Sequence, residues 1–319
     1  TGHRGSRTRL ALAVSLAAVA VFLQAGWFVV VFASADPVET AHRDWIQFHR
    51  TAERVVSGHT TEIYPVTFED DGRPEFSDGF FFLYPPFAAW LTLPLALLSP
   101  LGAYIACALA VAGVTLLALQ ALVSALRADP STRGWSVLWM AASAPWNTAV
   151  ILGHLSATLL VAPAVSVAAW ARGREGWSGA ALGLLLAKPN WGVPVLVLLV
   201  VARRWRMVGG FLLAGAALLT ISLPLGPGLW GDWVQTMVGY RALITDAGAT
   251  QPWRQVTLFA SLQSLLGRPG SDPAVYGLWL GISALLFGSV SMVWVRMGRR
   301  PDLFPRLLGA ALLAVLVTN

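Results

Sequence analysis

Apolar runs, separated by short breaks rich in arginine, proline or glycine, fill most of this 319-residue chain. A helix rises about 1.5 Å per residue, so about 20 apolar residues cross a hydrocarbon core of about 30 Å. The best candidates for such spans are the runs 10–33, 101–126, 207–223, 276–295 and 303–317. Shorter or broken runs cover 82–98, 135–153, 155–170 and 177–202. The pattern predicts an all-α polytopic bundle of about nine transmembrane or re-entrant helices.

Two segments, 34–81 and 224–273, are long and polar enough to form loops outside the membrane. The first contains most of the chain's 16 acidic residues. Within it, 42–57 is predicted to form an amphipathic helix that stops before Gly58 and lies flat in the membrane interface, apolar side down. The predicted apolar side carries residues at helical spacing: Trp45, Phe48, Ala52 and Val55.

Short arginine clusters set the predicted orientation, because cytoplasmic loops carry an excess of arginine and lysine. Clusters at 4–9, 203–206 and 296–300 are therefore expected inside, and both polar loops outside. The middle of the chain is compatible with two topologies. If every apolar run crosses the membrane, four arginines fall outside, against the rule: Arg127, Arg133, Arg172 and Arg174.

A re-entrant pair formed by 177–187 and 191–202 is the second topology. It moves Arg172 and Arg174 inside and raises Lys188 and its neighbour Asn190 towards the outer side. Such broken helices are tolerated at membrane depth where they are buried in protein or line a wet cavity.

Composition narrows the class of protein. Hydrophobic residues make up 56% of the chain and charged residues 12%, whereas an average soluble domain is about a quarter charged. This excludes a soluble enzyme and a disordered chain, and the single cysteine, Cys107, excludes an intrachain disulfide. The net charge of +6 is explained by cytoplasmic loops, so no nucleic-acid partner is expected. We predict one integral membrane domain over 1–319, whose C-terminal spans (274–319) are truncated, since the sequence ends directly after an apolar run.

Asp44, at the start of the predicted amphipathic helix, is the first candidate for chemistry. An ionised carboxylate at the membrane surface could take a proton from an attacking hydroxyl group. With Gln47 three residues later, Asp44 equally fits a capping box, in which it only closes the helix start. Asp36 is the second candidate base.

Lys188 is the only lysine and interrupts an apolar run as Lys188-Pro189-Asn190. A lysine at mid-membrane costs about 2.5–3.5 kcal/mol unless it is paired or hydrated, which makes it a candidate for binding a phosphate. The alternative is a lysine that only extends its ammonium group to the interface.

Other candidates for substrate binding are Tyr84, His154, Arg241, Arg254 and Gln255. Tyr84 precedes two prolines that open a predicted span, which could be a plain helix start. His154, next to Gly153, lies between two apolar runs and is as compatible with a structural role as with a ligand-facing one. The two arginines and the glutamine of the second loop could hold an anion or simply be solvated. No Walker, HExxH, GxSxG or Cys/His metal pattern is present.

The order of these motifs resembles the family 87 glycosyltransferases of the GT-C class, polytopic enzymes that include actinobacterial mannosyltransferases. The first part consists of one span and an outer loop that contains Asp44-Trp45, Phe48, Ala52, Gly58 and Tyr64. The later motifs are Tyr84-Pro85-Pro86, Gly153-His154, Lys188-Pro189 and Arg203-Arg204-Trp205. The resemblance covers nearly the whole chain. Family members often carry Gly-Gln where this chain has Gly153-His154, and they continue with further spans.

The resemblance implies a membrane enzyme that uses a polyprenyl-phosphate-linked sugar as co-substrate, with mannose as the expected sugar. No other cofactor is expected from the sequence, in which metal dependence stays open. Transfer to a glycolipid or glycan acceptor is expected on the extracytoplasmic face of the cell membrane. The family's base falls on Asp44, and its lysine-proline step falls on Lys188 and Pro189. Direct attack on the anomeric carbon implies inversion. The rival interpretations are a polytopic transporter or flippase of a lipid-linked substrate, and a lipid-binding protein without chemistry.

Overall fold

A computed structural model describes the protein over 2–34, 45–64, 66–68, 74–76, 82–245, 258–268, 272–297 and 303–318. Helices dominate these ranges. The helices of the first half are α1 Gly2–Ala33, α2 Trp45–Val56, α3 Ala89–Thr92, α4 Pro100–Ala125, α5 Pro130–Ala142, α6 Ala144–Ile151 and α7 Val161–Ala171. Those of the second half are α8 Glu175–Gly183, α9 Pro189–Val201, α10 Trp205–Ser222, α11 Leu229–Thr245, α12 Leu258–Leu266, α13 Pro273–Met297 and α14 Phe304–Thr318.

Several helices have the length and composition of membrane spans, so the chain is a multi-pass membrane protein. Among the described residues, four segments are both long and apolar enough to cross a bilayer: Val14–Ala33, Pro100–Ala125, Trp205–Leu225 and Pro273–Arg296. They confirm four of the five best predicted spans. The fifth forms the 15-residue α14, which is shorter than the usual span. The all-helical prediction holds except for a small antiparallel hairpin of Val66–Phe68 (β1) and Pro74–Phe76 (β2) in the first polar segment.

Two compact units make up the chain. The first comprises Thr1–Gly58 and Ala89–Gly173, and the second comprises His59–Ala88 and Arg174–Asn319. In the first unit, α1 packs along α5 and α6, and α4 packs on α7. The Trp27 indole N–H donates to the Tyr104 hydroxyl over 2.9 Å, and that hydroxyl donates to the Ile151 carbonyl over 2.9 Å. These bonds join the end of α1, the start of α4 and the end of α6.

The direction of each helix in the first unit follows from those contacts. Since α1 runs alongside α5 and then α6, the start of α1 lies at the end of the unit where α4 passes into α5. That end therefore carries Arg127 and Arg133 together with the arginines at the start of α1. Helix α7 leaves the opposite end at His154 and finishes before Arg172. All these arginines thus fall on one side of the first unit.

A break near Pro145 divides the helical segment 130–151 into α5 and α6. Proline cannot donate a backbone hydrogen bond, so the carbonyls of the preceding turn need other partners. The Asn147 side-chain amide supplies them, donating to the carbonyls of Ala141 and Ser143 over 2.8 Å each. The kink is thus built into the sequence by one proline and one asparagine.

Residues 82–98, predicted as a short or broken span, form no continuous helix. They divide into a 3₁₀ turn at Pro86–Ala88, the four-residue α3 and a second 3₁₀ turn at Leu93–Leu97. The prolines at 85, 86 and 94 prevent a longer helix because each removes a backbone donor. At the end of this segment, the Leu98 carbonyl lies 3.2 Å from Nε2 of His49 on α2. The segment therefore returns to the polar loop before α4 begins.

Helix α2 differs from the expectation that its apolar face lies on lipid. Trp45, Phe48 and Ala52 are at most 3% exposed, and the helix packs against α3, α4 and the turn at Leu93–Leu97. The amphipathic pattern indicated a buried face, but the pattern is the same whether protein or lipid covers it. The apolar side of α2 belongs to the core of the first unit.

In the second unit, α8 and α9 form a hairpin with its apex at Lys188. A Cβ on Gly192 of α9 would come within 3.0 Å of the Leu185 backbone, so the chain folds back on itself. At the open end of the hairpin, Arg204 and Glu175 form an ion pair of 3.9 Å, which joins the arginines around 203–206 to the start of α8. This geometry agrees with the re-entrant pair and not with a single crossing by 177–202.

Glycines allow α8 to pack directly on the backbone of α10. A Cβ on Gly179 would lie 1.9 Å from the Met207 carbonyl oxygen, and a Cβ on Gly210 would lie 2.0 Å from that of Gly176. Without a hydrophobic driving force between helices in lipid, such small residues let van der Waals contacts hold the helices together. The contacts advance in the same direction along both helices, so α8 and α10 are parallel.

The second polar segment, predicted as a loop over 224–273, contains two helices. Helix α11 begins three residues after Gly226, whose φ of +129° suits a residue without a side chain. Helix α12 packs on α13 and α14.

Candidate functional site

The Lys188-Pro189 step fixes the apex of the hairpin. A residue before proline is restricted to extended backbone, and Lys188 has φ −127° and ψ 91°. Pro189 then occupies the first position of α9, where a missing N–H costs nothing. The Lys188 carbonyl accepts the N–H groups of Trp191 and Gly192 over 2.7 and 3.1 Å. The sequence itself therefore stops one helix, starts the next and holds Lys188 at the turn.

Two aromatic rings flank the ammonium group of Lys188. Its Nζ lies 5.3 Å from the ring centre of Trp191 and 6.0 Å from that of Tyr84. A cation at this distance from a ring face is attracted by the negative potential of the π-system. Lys188 and Trp191 are half-buried and Tyr84 is buried. The structure thus brings together two residues singled out in the sequence, Lys188 and Tyr84, on a partly hydrated aromatic surface.

Tyr64 holds the backbone at Tyr84. Its hydroxyl donates to the Tyr84 carbonyl over 2.6 Å, and its ring contacts Phe82, which stacks on Tyr84 in turn. Burial raises the pKa of Tyr64 well above its usual value, and the nearby negative charge of Asp232 raises it further. Tyr64 therefore stays protonated and keeps donating this bond.

Tryptophans of α11 extend the aromatic surface. The Trp233 indole N–H donates to the Leu83 carbonyl over 3.3 Å. Trp230 contacts Phe87 and Trp233 at 6.3 and 5.6 Å between ring centres. These contacts hold the segment from Phe82 to Phe87 against the second polar segment.

In the first unit, the Gly153-His154 turn packs against Trp45. Gly153 has φ +59°, and a Cβ there would lie 2.8 Å from the Trp45 Cβ and 3.2 Å from the Cys107 Cβ. Only glycine accepts both the left-handed backbone and this close approach. His154 is half-buried, and its backbone N–H donates to the Ala149 carbonyl over 2.9 Å. His154 is therefore next to the start of α2.

The structure describes only some of the remaining predicted site residues. Asp44 and Asp36, like Arg254 and Gln255, lie outside the described residues. Arg241 lies in the last part of α11. Asp44 immediately precedes Trp45, the residue in contact with Gly153. Within the described ranges, no three His, Cys, Asp or Glu side chains come together as a metal site requires.

Trp191 and Asp232 were missed in the sequence. Trp191 lies three residues after Lys188, in the first turn of a helix that starts at a proline. Residues three apart are neighbours on a helix surface, so this spacing could have identified Trp191 as a neighbour of Lys188. Asp232 lies in a different polar segment from Tyr64, and no local signal connects the two residues.

Comparisons with known proteins agree with the resemblance seen in the sequence. The model of glycosyltransferase family 87 matches residues 82–318. No curated protein and no solved structure matches the chain. The family match covers both Tyr84-Pro85-Pro86 and the hairpin with Lys188 at its apex. The chain therefore belongs to glycosyltransferase family 87 and is a membrane enzyme that transfers a sugar from a donor to an acceptor.

Proposed function

We propose that this transferase takes a hexose, with mannose as the expected sugar, from a polyprenyl-phosphate carrier and passes it to a hydroxyl group of a glycolipid or glycan. The observation that carries the proposal is the ammonium group of Lys188, 5.3 and 6.0 Å from two aromatic rings at the apex of a membrane hairpin. A cation in such surroundings attracts an anion, and the phosphate group of a membrane lipid supplies one. Apolar and aromatic walls suit the carrier chain next to that phosphate.

The reaction is a single displacement. The acceptor oxygen forms a bond to the anomeric carbon while the bond from that carbon to the phosphate oxygen breaks. The polyprenyl phosphate leaves with the bonding electrons, and Lys188 stabilises its negative charge. Asp44 takes the proton of the acceptor hydroxyl. Attack from the side opposite the phosphate inverts the anomeric centre.

The contact between Gly153 and Trp45 supports the part given to Asp44. Trp45, the residue after Asp44 in sequence, is fully buried, and its ring centre is 5.9 Å from that of Tyr104. A base must be held at a fixed position to reach the proton that it removes. His154 lies at the same end of the unit as Trp45.

The distribution of arginines supports an active site on the extracytoplasmic face. In the first unit, the start of α1 and the residues Arg127, Arg133 and Arg172 share one end. Trp45, Gly153 and His154 share the other end. By the positive-inside rule the arginine end is cytoplasmic. We assign both units to one membrane domain with a GT-C-like helical bundle.

The test uses membranes that contain the full chain and radiolabelled polyprenyl-phosphomannose. Transfer of label to a new glycolipid or glycan is expected from the wild type. Asp44→Asn should abolish transfer, because an amide cannot accept the proton, and should leave donor binding intact. Movement of intact donor across the bilayer without a new product would indicate a transporter and overturn the proposal. Binding without transfer or movement would indicate a lipid-binding protein.

Lys188 is tested by a pair of variants. Lys188→Gln removes the charge, and we expect kcat/KM for the donor to fall by about a hundredfold, since a charge-assisted bond to phosphate is worth roughly 1.5–3 kcal/mol. Lys188→Arg keeps the charge and should retain part of the activity. Equal activity of Lys188→Gln and wild type would remove Lys188 from the donor site, while the transferase assignment would stand.

A further inference from the structure

A cavity of about 580 Å³ opens between the last turns of α4 and the first turns of α5, in the first unit. This is the arginine end of the unit, away from Trp45 and His154. The residues that line the cavity are Gln120, Val123, Ser124, Arg133, Gly134, Val137 and Leu138. Its walls combine three apolar side chains with a guanidinium, an amide and a hydroxyl group, so one ligand with a polar and an apolar part fits them.

Gly134 creates part of this space. A Cβ at this position would meet no atom within 4 Å, although Gly134 stands in the first turns of a helix, where glycine is unfavourable by roughly 1 kcal/mol relative to alanine. No turn and no close helix approach requires glycine here. The missing side chain leaves the cavity open.

Arg133 is positioned to meet an anion at the cavity. Its Nε donates to the Ala128 carbonyl over 2.9 Å, which fixes the guanidinium plane beside the turn between the two helices. The exposed Arg127 stands in the same turn with φ +52°. Asp129, an acid of the same turn, accepts the backbone N–H groups of Ser131 and Thr132 over 3.0 Å each. The Asp129 carboxylate is thus bonded to the start of α5, and the two arginines outnumber it at the turn.

We infer that this cavity binds an anionic phospholipid, with the lipid phosphate at Arg133 and the start of an acyl chain along Val123, Val137 and Leu138. Val123 belongs to α4, which is long and apolar enough to span the membrane, so a lipid reaches the apolar wall from the bilayer. Basic pockets between helices at the cytoplasmic side attract anionic headgroups in this way. Free inorganic phosphate would use Arg133 alone and leave the apolar wall uncovered.

Native mass spectrometry of the purified full chain in detergent tests this site. Phosphatidylglycerol is the probe, and phosphatidylcholine and inorganic phosphate are the comparison ligands. We expect phosphatidylglycerol to bind at least about tenfold more tightly than phosphatidylcholine, because only phosphatidylglycerol has a headgroup with a net negative charge that can pair with the arginines. Equal retention of the two lipids, or retention of inorganic phosphate in place of lipid, would overturn the inference.

Two variants test the two halves of the site independently. Arg133→Gln should weaken phosphatidylglycerol binding by about tenfold through loss of a charge-assisted bond. Gly134→Leu should exclude the lipid by placing an apolar side chain in the cavity, and it should fold because leucine is a good helix former whose Cβ would meet no atom within 4 Å. The matched control is Arg172→Gln, an exposed arginine that likewise donates to a backbone carbonyl, that of Ala168, over 2.8 Å. If Arg172→Gln weakens binding as much as Arg133→Gln, the cavity is not the site.

Discussion

Gly153 lies so close to Trp45 that a Cβ at position 153 would be 2.8 Å from the Trp45 Cβ. The contact joins the start of α2, in the first polar segment, to the turn between α6 and α7. The Tyr104 ring packs on Trp45 from α4 at 5.9 Å between ring centres. Three parts of the chain that are distant in sequence therefore meet at the residue next to Asp44.

Replacement of Gly153 by alanine should destabilise the protein by roughly 2–5 kcal/mol. The left-handed backbone costs an alanine about 1–2 kcal/mol, and overpacking against Trp45 and Cys107 adds about 1–3 kcal/mol. Thermal unfolding in detergent, followed by tryptophan fluorescence, measures this loss.

Gly113→Ala is the matched control for that measurement. Gly113 lies in α4 of the same unit, and a Cβ there would meet no atom within 4 Å. Alanine should leave the stability unchanged or raise it by up to about 1 kcal/mol. If both variants unfold at the same temperature, Gly153 does not pack against Trp45 as described.

Adjacent glycines in α10 provide a second paired prediction. A Cβ on Gly210 would lie 2.0 Å from the Gly176 carbonyl oxygen, whereas one on Gly209 would meet nothing within 4 Å. Gly210→Ala must push α8 away from α10, and we expect a loss of roughly 3 kcal/mol or more. Gly209→Ala should be neutral or slightly stabilising.

The midpoints of thermal unfolding of Gly210→Ala and Gly209→Ala test whether α8 packs directly on the backbone of α10. Their backbone positions are neighbours in one helix and their chemical change is identical, so only the facing helix distinguishes them. Equal midpoints would exclude the direct backbone packing of α8 on α10.

The break at Lys188 was predictable from the sequence because its causes are local. Proline restricts the residue before it and suits the first position of a helix, so Lys188-Pro189 marks the end of one element and the start of the next. The charge of Lys188 within an apolar run identified the same position as a candidate functional site. That the two arms form a hairpin depends on contacts between residues such as Gly192 and Leu185, and the sequence alone left this alternative open.

Other features could not be predicted from the sequence, because they depend on whether protein or lipid covers an apolar face. The spacing of Trp45, Phe48 and Ala52 predicted a helix with one apolar side, yet lipid and protein select the same residues there. The run from 82 to 98 was apolar enough for a span, but its return to His49 depends on a contact between distant parts of the chain. Trp191 joined the site through its contact with Lys188, and Asp232 through the effect of its charge on the pKa of Tyr64.

Tyr64 should make the protein sensitive to alkaline pH. Its folded-state pKa is raised above the unfolded value of about 10. The stability that it contributes is therefore fully present below about pH 10 and is lost as the pH rises above that value, because the unfolded state then releases a proton that the folded state keeps. Denaturant unfolding measured from neutral pH to about pH 11 should show this decline.

Tyr64→Phe separates that effect from the titration of other groups. At neutral pH the variant should lose roughly 1–2 kcal/mol, since the buried Tyr84 carbonyl loses its donor. Above about pH 10 its stability should fall less steeply than that of the wild type. Asp232→Asn, which removes the second cause of the raised pKa, should have an intermediate slope. Parallel curves for Tyr64→Phe and wild type would contradict the assignment.

Trp191 provides the sharpest test of the aromatic surface around Lys188. Its ring centre is 5.3 Å from Nζ, closer than that of Tyr84, and it is half-buried in the first turn of α9. Loss of this partner leaves the ammonium group more mobile and better hydrated, which weakens its attraction for a phosphate. We expect Trp191→Ala to lower kcat/KM for a lipid-linked donor by about tenfold, mainly through KM, and Trp191→Phe to recover most of it.

Trp177→Ala controls for the general loss of a tryptophan from this hairpin. Trp177 is 72% exposed and stands in α8, near the open end where Glu175 pairs with Arg204. The Trp177→Ala variant should therefore have the same kcat and KM for transfer as the wild type. If Trp191→Ala and Trp177→Ala behave alike while Lys188→Gln loses activity, Lys188 acts without its aromatic neighbour. A change in kcat alone would instead assign Trp191 to the bond-breaking step, because uniform donor binding appears in KM.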